Sequence, residues 1–464
     1  MPDPRTLAGA LLILGIAIPG PSPVAQTAPP DLPDPLTLEA ALAQVADEPH
    51  PDVVEPLAQV AAERARRRQT EAILDTEVEL QGRLRWVQPN PQADNRERTD
   101  GALGVIARKR LYDFGLTEAR TATRSHAEQA ARLRYRSALQ RRYLTVMDAF
   151  FAVLRADLRY RVADEAMAIA FVEWDNAQER HAVGEISDVD QLRAESRYQT
   201  LLSERASAQA RQRLARAALA EALNRPNQLP GDLAEPTFPD WPERLPPLQT
   251  LQETALDQNP RLLALRAGLK SRVEAIAAAR QRGNPVLSAE ARAFQYQREL
   301  GGRDDWQIGL QLRVPLYRGE RTQAAAAEAV AETRQLRARL RQAEQTVRQT
   351  VRGLRERYGI VQQRRAAAET RLEYRSLALD RSRSLYALEV RTDLGDALVE
   401  YTEARRQAFD AKADTFILVY ELATLLGRTP SLDTALGMPD LSPNTPDASG
   451  GTDSRPAASG RDPR

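Results

Sequence analysis

The chain has 464 residues, a formal charge of +1 and no cysteine. Without thiols it has no disulfide, no thiolate metal site and no lipid anchor on an N-terminal cysteine. The balanced charge leaves no global field for nucleic acid. His50, His126 and His181 are too few and too scattered for a metal centre. There is also no Gly-rich phosphate loop, metalloprotease His-Glu pattern or serine elbow. No catalytic residue, metal or cofactor is therefore expected.

Arg5 precedes an apolar run from Leu7 to Ile18, then Pro19-Gly20-Pro21 and small residues to Ala25. Residues 1–25 read as a secretory signal peptide, and the apolar run is too short to span a bilayer. Residues 26–36 read as a Pro-rich flexible leader. No later segment is apolar enough for a transmembrane helix, so any membrane span must be made of strands.

Thr37 opens a helix over Leu38, Ala41, Leu42 and Val45, which Pro49-His50-Pro51 interrupts. A second helix runs from Asp52 towards Leu74. Then Val78, Leu80, Gly82, Leu84 and Trp86 alternate with Glu79, Gln81, Arg83 and Arg85, the period-2 pattern of a two-faced strand. Gly101 to Tyr112 returns after a polar loop as a second strand. It is less clean because Lys109 falls on the face of Leu103, Val105 and Leu111. From Gly115 the chain is helical to Val183, with Leu139, Tyr143, Val146, Phe150 and Val153 as a seam, and a second rod fills Asp188 to Leu223.

After a proline-dense linker, 226–247, the pattern restarts. Helices cover Leu248 to Gln258 and onward to Arg282, and Val286 to Tyr296 is a strand. Trp306 to Tyr317 is another, with Trp306, Ile308, Leu310, Leu312, Val314 and Leu316 alternating with polar residues. The long helix that follows carries Val347, Val351, Leu354, Tyr358 and Val361 at heptad spacing. At 1.5 Å per residue a helix of roughly 70 residues is about 100 Å long. The last rod, Asp396 to Leu426, has the seam Tyr401, Ala404, Ala408, Ala411, Thr415, Leu418, Leu422, Leu425. Residues 429–464 read as a disordered tail.

The chain is thus two copies of helix, strand pair and long helical hairpin. The first copy is 37–225, with strands near 76–112 and a hairpin over 115–224. The second is 248–428, with strands near 285–317 and a hairpin over 319–427. The fold class is mainly α with a small β part. Four strands cannot enclose a channel, so several chains must share one barrel.

Val183-Gly184-Glu185-Ile186-Ser187-Asp188-Val189-Asp190, the junction Val314-Pro315-Leu316-Tyr317-Arg318-Gly319 and its first-repeat counterpart Leu111-Tyr112-Asp113-Phe114-Gly115 resemble the outer-membrane efflux proteins, the TolC-type channels. Gln349-Thr350-Val351-Arg352 adds to that resemblance, which covers about Leu36 to Arg428. It implies a homotrimer with a twelve-stranded transmembrane β-barrel in outer-membrane lipid, continued by a periplasmic α-helical barrel. It also implies a periplasmic adaptor and an inner-membrane transporter as partners.

By the same resemblance, Val183, Gly184, Ser187, Asp188, Asp190, Glu389 and Thr392 form the adaptor-contacting tip. Arg391, Asp393 and Asp396 are the gate candidates at the tunnel entrance. The second turn departs from the family pattern, with Glu389 in place of the usual Gly, and with Gly395 and one extra residue before Asp396. The competing expectation is a periplasmic coiled-coil scaffold or adaptor, which accounts for the heptads but not for the four two-faced strands.

Overall fold

The computed structural model describes residues 32–47, 50–90, 92, 97–298, 303–388 and 394–428. The signal peptide, most of the leader and the tail expected at 429–464 lie outside the described residues, as do Glu389, Arg391, Thr392 and Asp393. In chain order the elements are α1 (Leu38–Asp47), α2 (Pro51–Glu71), β1 (Thr76–Trp86), β2 (Thr99–Tyr112), α3 (Leu116–Ala182) and α4 (Asp188–Ala222). They are followed by α5 (Leu248–Gln258), α6 (Pro260–Gln281), β3 (Val286–Tyr296), β4 (Trp306–Arg313), α7 (Arg321–Ala387) and α8 (Leu394–Leu425). The two long helices, α3 and α7, have 67 residues each. The chain is mostly helical with one small antiparallel sheet.

The ends of these helices follow from local chemistry. His50 caps α2 by accepting the Asp52 amide on Nδ1 at 3.2 Å, and Pro51 supplies a first-turn residue with no amide to satisfy. Asn259 caps α6 by accepting from the Arg261 and Leu262 amides, while its Nδ2 donates to the Leu425 carbonyl at the end of α8. The two hairpins stop alike. Asn224 after α4 and Gly427 after α8 take left-handed φ values of 60° and 80°. The next amide, of Arg225 or Arg428, then bonds back to Ala220 or Ala423.

The predicted seams are the buried ones. Val146, Phe150 and Val153 of α3 are inaccessible to solvent, and Val347, Val351, Leu354, Tyr358 and Val361 of α7 are all buried. In α8 the small seam residues Ala404, Ala408 and Ala411 are buried, which lets α7 and α8 approach closely.

The leader and the linker differ from their expected roles. Leu36 is fully buried. Its amide donates to the Asp232 carbonyl and its carbonyl accepts from the Ala234 amide, a parallel bridge to Leu233. Phe238 of the linker stacks on Phe151 (6.0 Å) and meets Phe409 and Phe416 edge-on. Tyr358 Oη donates to the Pro242 carbonyl at 2.5 Å. The irregular segment 226–247 is therefore a belt around the middle of the helices, tying both repeats to one aromatic core.

Candidate channel wall and tip

The sheet is a four-stranded meander, β1-β2-β3-β4, with every pair antiparallel. Its register fixes which residues share a face. Val78, Leu80 and Gly82 of β1 stand opposite Ala107, Val105 and Leu103 of β2. These continue into Ala291 and Ala293 of β3, and then into Ile308 and Trp306 of β4, with Ala289 opposite Leu310 and Leu287 opposite Leu312. The result is one apolar surface across all four strands. Leu84 is 86% exposed and Ile308 75% exposed, more apolar surface than a water-facing sheet carries.

The other face is polar and cross-linked. Arg108 reaches Glu290 at 2.9 Å and Glu79 at 3.2 Å, and Arg292 donates to Gln307 at 2.9 Å. At the far end, buried Asp100 of β2 accepts from Arg85 of β1 (2.5 Å) and from Arg303 (2.8 Å), which fastens the segment between β3 and β4 to the first strand pair. The outer edges of β1 and β4 have no strand partner among the described residues.

Two details differ from the sequence reading. A bulge between Arg110 and Tyr112 puts Tyr112, not Leu111, opposite Leu287. The fourth strand ends at Arg313 rather than Tyr317, because Pro315 has no amide to donate and β3 offers no partner before Val286. Lys109, which made the second strand look less clean, pairs with Thr76 at the foot of β1. There a long side chain can carry its charge out of an apolar zone.

Below the sheet, α2, α3, α6 and α7 stand side by side as a curved layer. A cleft of about 900 Å³ runs along its concave side, from Asp52 on α2 across Arg134 and Arg141 on α3 and Arg261 on α6 to Arg339 on α7. Higher up, a second cleft on the same four helices shares Arg120 and Arg282 with a third at the strand feet. That third cleft is lined by Glu77, Arg108, Glu290 and Gln311, all on the polar face of the sheet. The polar face of the sheet and the concave face of the helices therefore form one continuous wall. Among the described residues, no helix is long and apolar enough to cross a membrane.

At the opposite end the first tip is well defined. Gly184 has φ +79° and no atom near the position a Cβ would take, so it is there for its backbone conformation alone. Ser187 caps α4 by accepting the Asp190 amide at 3.3 Å and donates its hydroxyl to Asp190 Oδ2 at 2.8 Å. Asp188 meets His181 Nε2 at 2.6 Å across the turn. Val183, Val189 and Leu192 are exposed. The structure thus gathers the predicted tip residues Val183, Gly184, Ser187, Asp188 and Asp190 at one apex.

Of the gate candidates only Asp396 is described. It lies in the first turn of α8, 3.9 Å from Arg197 Nη2 on α4, and Arg197 also donates to Glu173 of α3 at 2.7 Å. Next to it, Gly395 packs so closely on Ile169 that a Cβ would stand 3.0 Å from that side chain. Sequence reasoning missed Arg197 and the neighbouring stack of Trp174 on Tyr198 (5.0 Å) with Phe171 edge-on. A signal was present, since Glu173/Arg197 and Trp174/Tyr198 are spaced almost symmetrically about the Gly184 turn.

Residues 251–428 match the family model for outer membrane efflux protein. No curated protein matches the chain in sequence. Among solved structures, the chain is similar to the outer membrane protein VceC from Vibrio cholerae, at 16% identity and TM-score 0.67 over 85% of this chain and 97% of that one. It is similar to the Campylobacter jejuni CmeC outer membrane channel, at 13% identity and TM-score 0.68 over 86% and 88% of the two chains. A third is the open state of the Neisseria gonorrhoeae MtrE outer membrane channel, at 18% identity and TM-score 0.60 over 86% and 90%. In sequence, residues 251–428 match the outer membrane efflux protein family, and in fold most of the chain is similar to these outer-membrane proteins.

Proposed function

We propose that the protein is the outer-membrane channel of a tripartite efflux pump or type I secretion system. Three copies close a twelve-stranded barrel in the outer membrane, and their helical hairpins extend it as a tunnel into the periplasm. The observation that carries this reading is the sheet. An apolar face open to its surroundings and two edges unpaired among the described residues suit a lipid-embedded barrel shared between chains, because in lipid every backbone polar group must find a partner. A soluble scaffold would leave the same face in water. The continuous polar wall behind that face suits a water-filled duct. Such a duct needs no catalytic group, since the inner-membrane transporter supplies the energy. The apices around Gly184 and around Glu389 and Thr392 dock the periplasmic adaptor, and Arg391, Asp393 and Asp396 narrow the tunnel entrance.

Membrane fractionation and site-directed crosslinking test this reading. The expected result is a protein extracted only with detergent, running as a heat-modifiable trimer. A cysteine at Ser187 should crosslink to the adaptor and one at Gln92 should not. A water-soluble monomer, or crosslinking from Gln92 alone, overturns the assignment.

A further inference from the structure

The concave wall is much more basic than the chain. Arg134, Arg141, Arg261 and Arg339 are exposed to its lower cleft, and among the described residues none of the four makes an ion pair. The acids lining the same cleft are Asp52 and Glu55. Asp52 already lies 3.9 Å from buried Arg142, and Glu55 accepts from Gln59. Further up the wall, Arg120 carries a guanidinium pKa lowered by burial and by the positive charges of Arg282 and Arg110, which outweigh the opposing charge of Asp113. Cations are crowded there without enough acid to balance them. With a chain charge of only +1, the compensating carboxylates lie elsewhere on the molecule. The four side chains come from three helices, α3, α6 and α7, so the band is built by the fold and is not a run in the sequence.

We propose that this arginine band is a selectivity element, and that the duct favours anionic small solutes, those carrying carboxylate or phosphate groups. The inference rests on the channel reading above. Each copy adds four uncompensated guanidinium groups to one lumen, and like charges converging on a low-dielectric wall raise the local concentration of counter-ions. Guanidinium is suited to the task because its planar donors match carboxylate and phosphate oxygens in pairs. It also stays charged at every physiological pH, so the preference should be flat from about pH 5 to about pH 9.

The test is the reversal potential of the purified trimer in a planar bilayer under a KCl gradient. Wild type should show a chloride-to-potassium permeability ratio above one. Arg141→Gln with Arg339→Gln, and independently Arg134→Gln with Arg261→Gln, should lower that ratio about twofold or more. Both are surface changes, and each variant is checked as a heat-modifiable trimer first. Arg334→Gln, on a different face of α7, should leave the ratio unmoved. A conducting pore that prefers potassium, or whose preference neither pair shifts, overturns the inference and leaves the channel reading standing. A trimer that never conducts overturns the channel reading itself.

Discussion

Arg197 of α4 stands between Glu173 of α3, at 2.7 Å, and Asp396 at the head of α8, at 3.9 Å. One guanidinium thereby links the first hairpin to the start of the last helix, within a single copy of the chain. All three side chains are solvent-exposed to a large degree, so the link is weak in energy and is suited to being broken. Asp396→Ala and Arg197→Ala should each raise single-channel conductance while changing trimer stability by about 1 kcal/mol or less. Conductance traces and thermal melts of the same preparations check this. Lower stability with unchanged conductance would reduce Asp396 to a first-turn acid favoured by the helix dipole.

The two faces of β4 should respond oppositely to charge. Leu310→Arg places a guanidinium on the apolar face and should cost about 2–4 kcal/mol if it lies near the bilayer midplane. Gln311→Arg adds the same group to the polar face and should be tolerated. Trimer yield in outer membranes reads the difference, and equal sensitivity at both positions would refute the assigned faces.

Gly104 and Gly309 both lie on the polar face, yet only one has no room to spare. A Cβ at Gly104 would overlap the Phe294 ring and stand 2.5 Å from the Ala293 carbonyl oxygen, whereas nothing lies within 4 Å of one at Gly309. Gly104→Ala should destabilise the barrel by about 1–3 kcal/mol through overpacking. Gly309→Ala should assemble normally. The temperature at which the trimer dissociates in detergent is the measurement.

Glu128 of α3 is buried among Arg67 (2.9 Å), Arg132 (2.5 Å) and Arg64 (3.4 Å). Burial alone would raise its pKa, but the three guanidinium groups outweigh it and hold the carboxyl at about 2 instead of 4.5. Its folded pKa lies below its unfolded one. The stabilisation is therefore complete above about pH 4.5 and is lost as pH falls towards 2. Glu128→Gln should cost about 1–3 kcal/mol at neutral pH and flatten the acid limb of helix unfolding followed by circular dichroism. An unchanged acid limb would remove Glu128 from the α2–α3 contact energy.

Where side chains repeat with a period, the fold could be read from the sequence. The alternation in β1 and β4 and the seams of α3, α7 and α8 each report a face that must be hidden from water. The belt could not be read this way. Leu36, Leu233, Phe238 and Trp241 sit in irregular, proline-rich backbone, where burial leaves no periodic trace. The bulge at Arg110 was equally silent, because one inserted residue shifts a ladder without changing its composition. At the candidate site, the tip turn was visible because Gly184 and Ser187 have fixed backbone and capping roles. The arginine band was not, because Arg141, Arg261 and Arg339 are far apart in the chain and meet only through helix packing.

The pairing of β2 with β3 has a consequence for how the molecule is made. Arg108 and Glu290 face each other across that ladder, yet they are 182 residues apart in sequence. Everything between them, including the first long hairpin and the belt, must be brought into place before the ladder can close. Contacts of such separation form late and slowly. The helices, built on local contacts, come first, and each local strand pair waits beside them with its apolar face uncovered. The outer edges of β1 and β4 stay open longer still, since among the described residues no strand of the chain pairs with them. On the trimeric-channel reading proposed above, a chain built in this order reaches the lipid last and needs its sheet shielded from water and from other sheets until then.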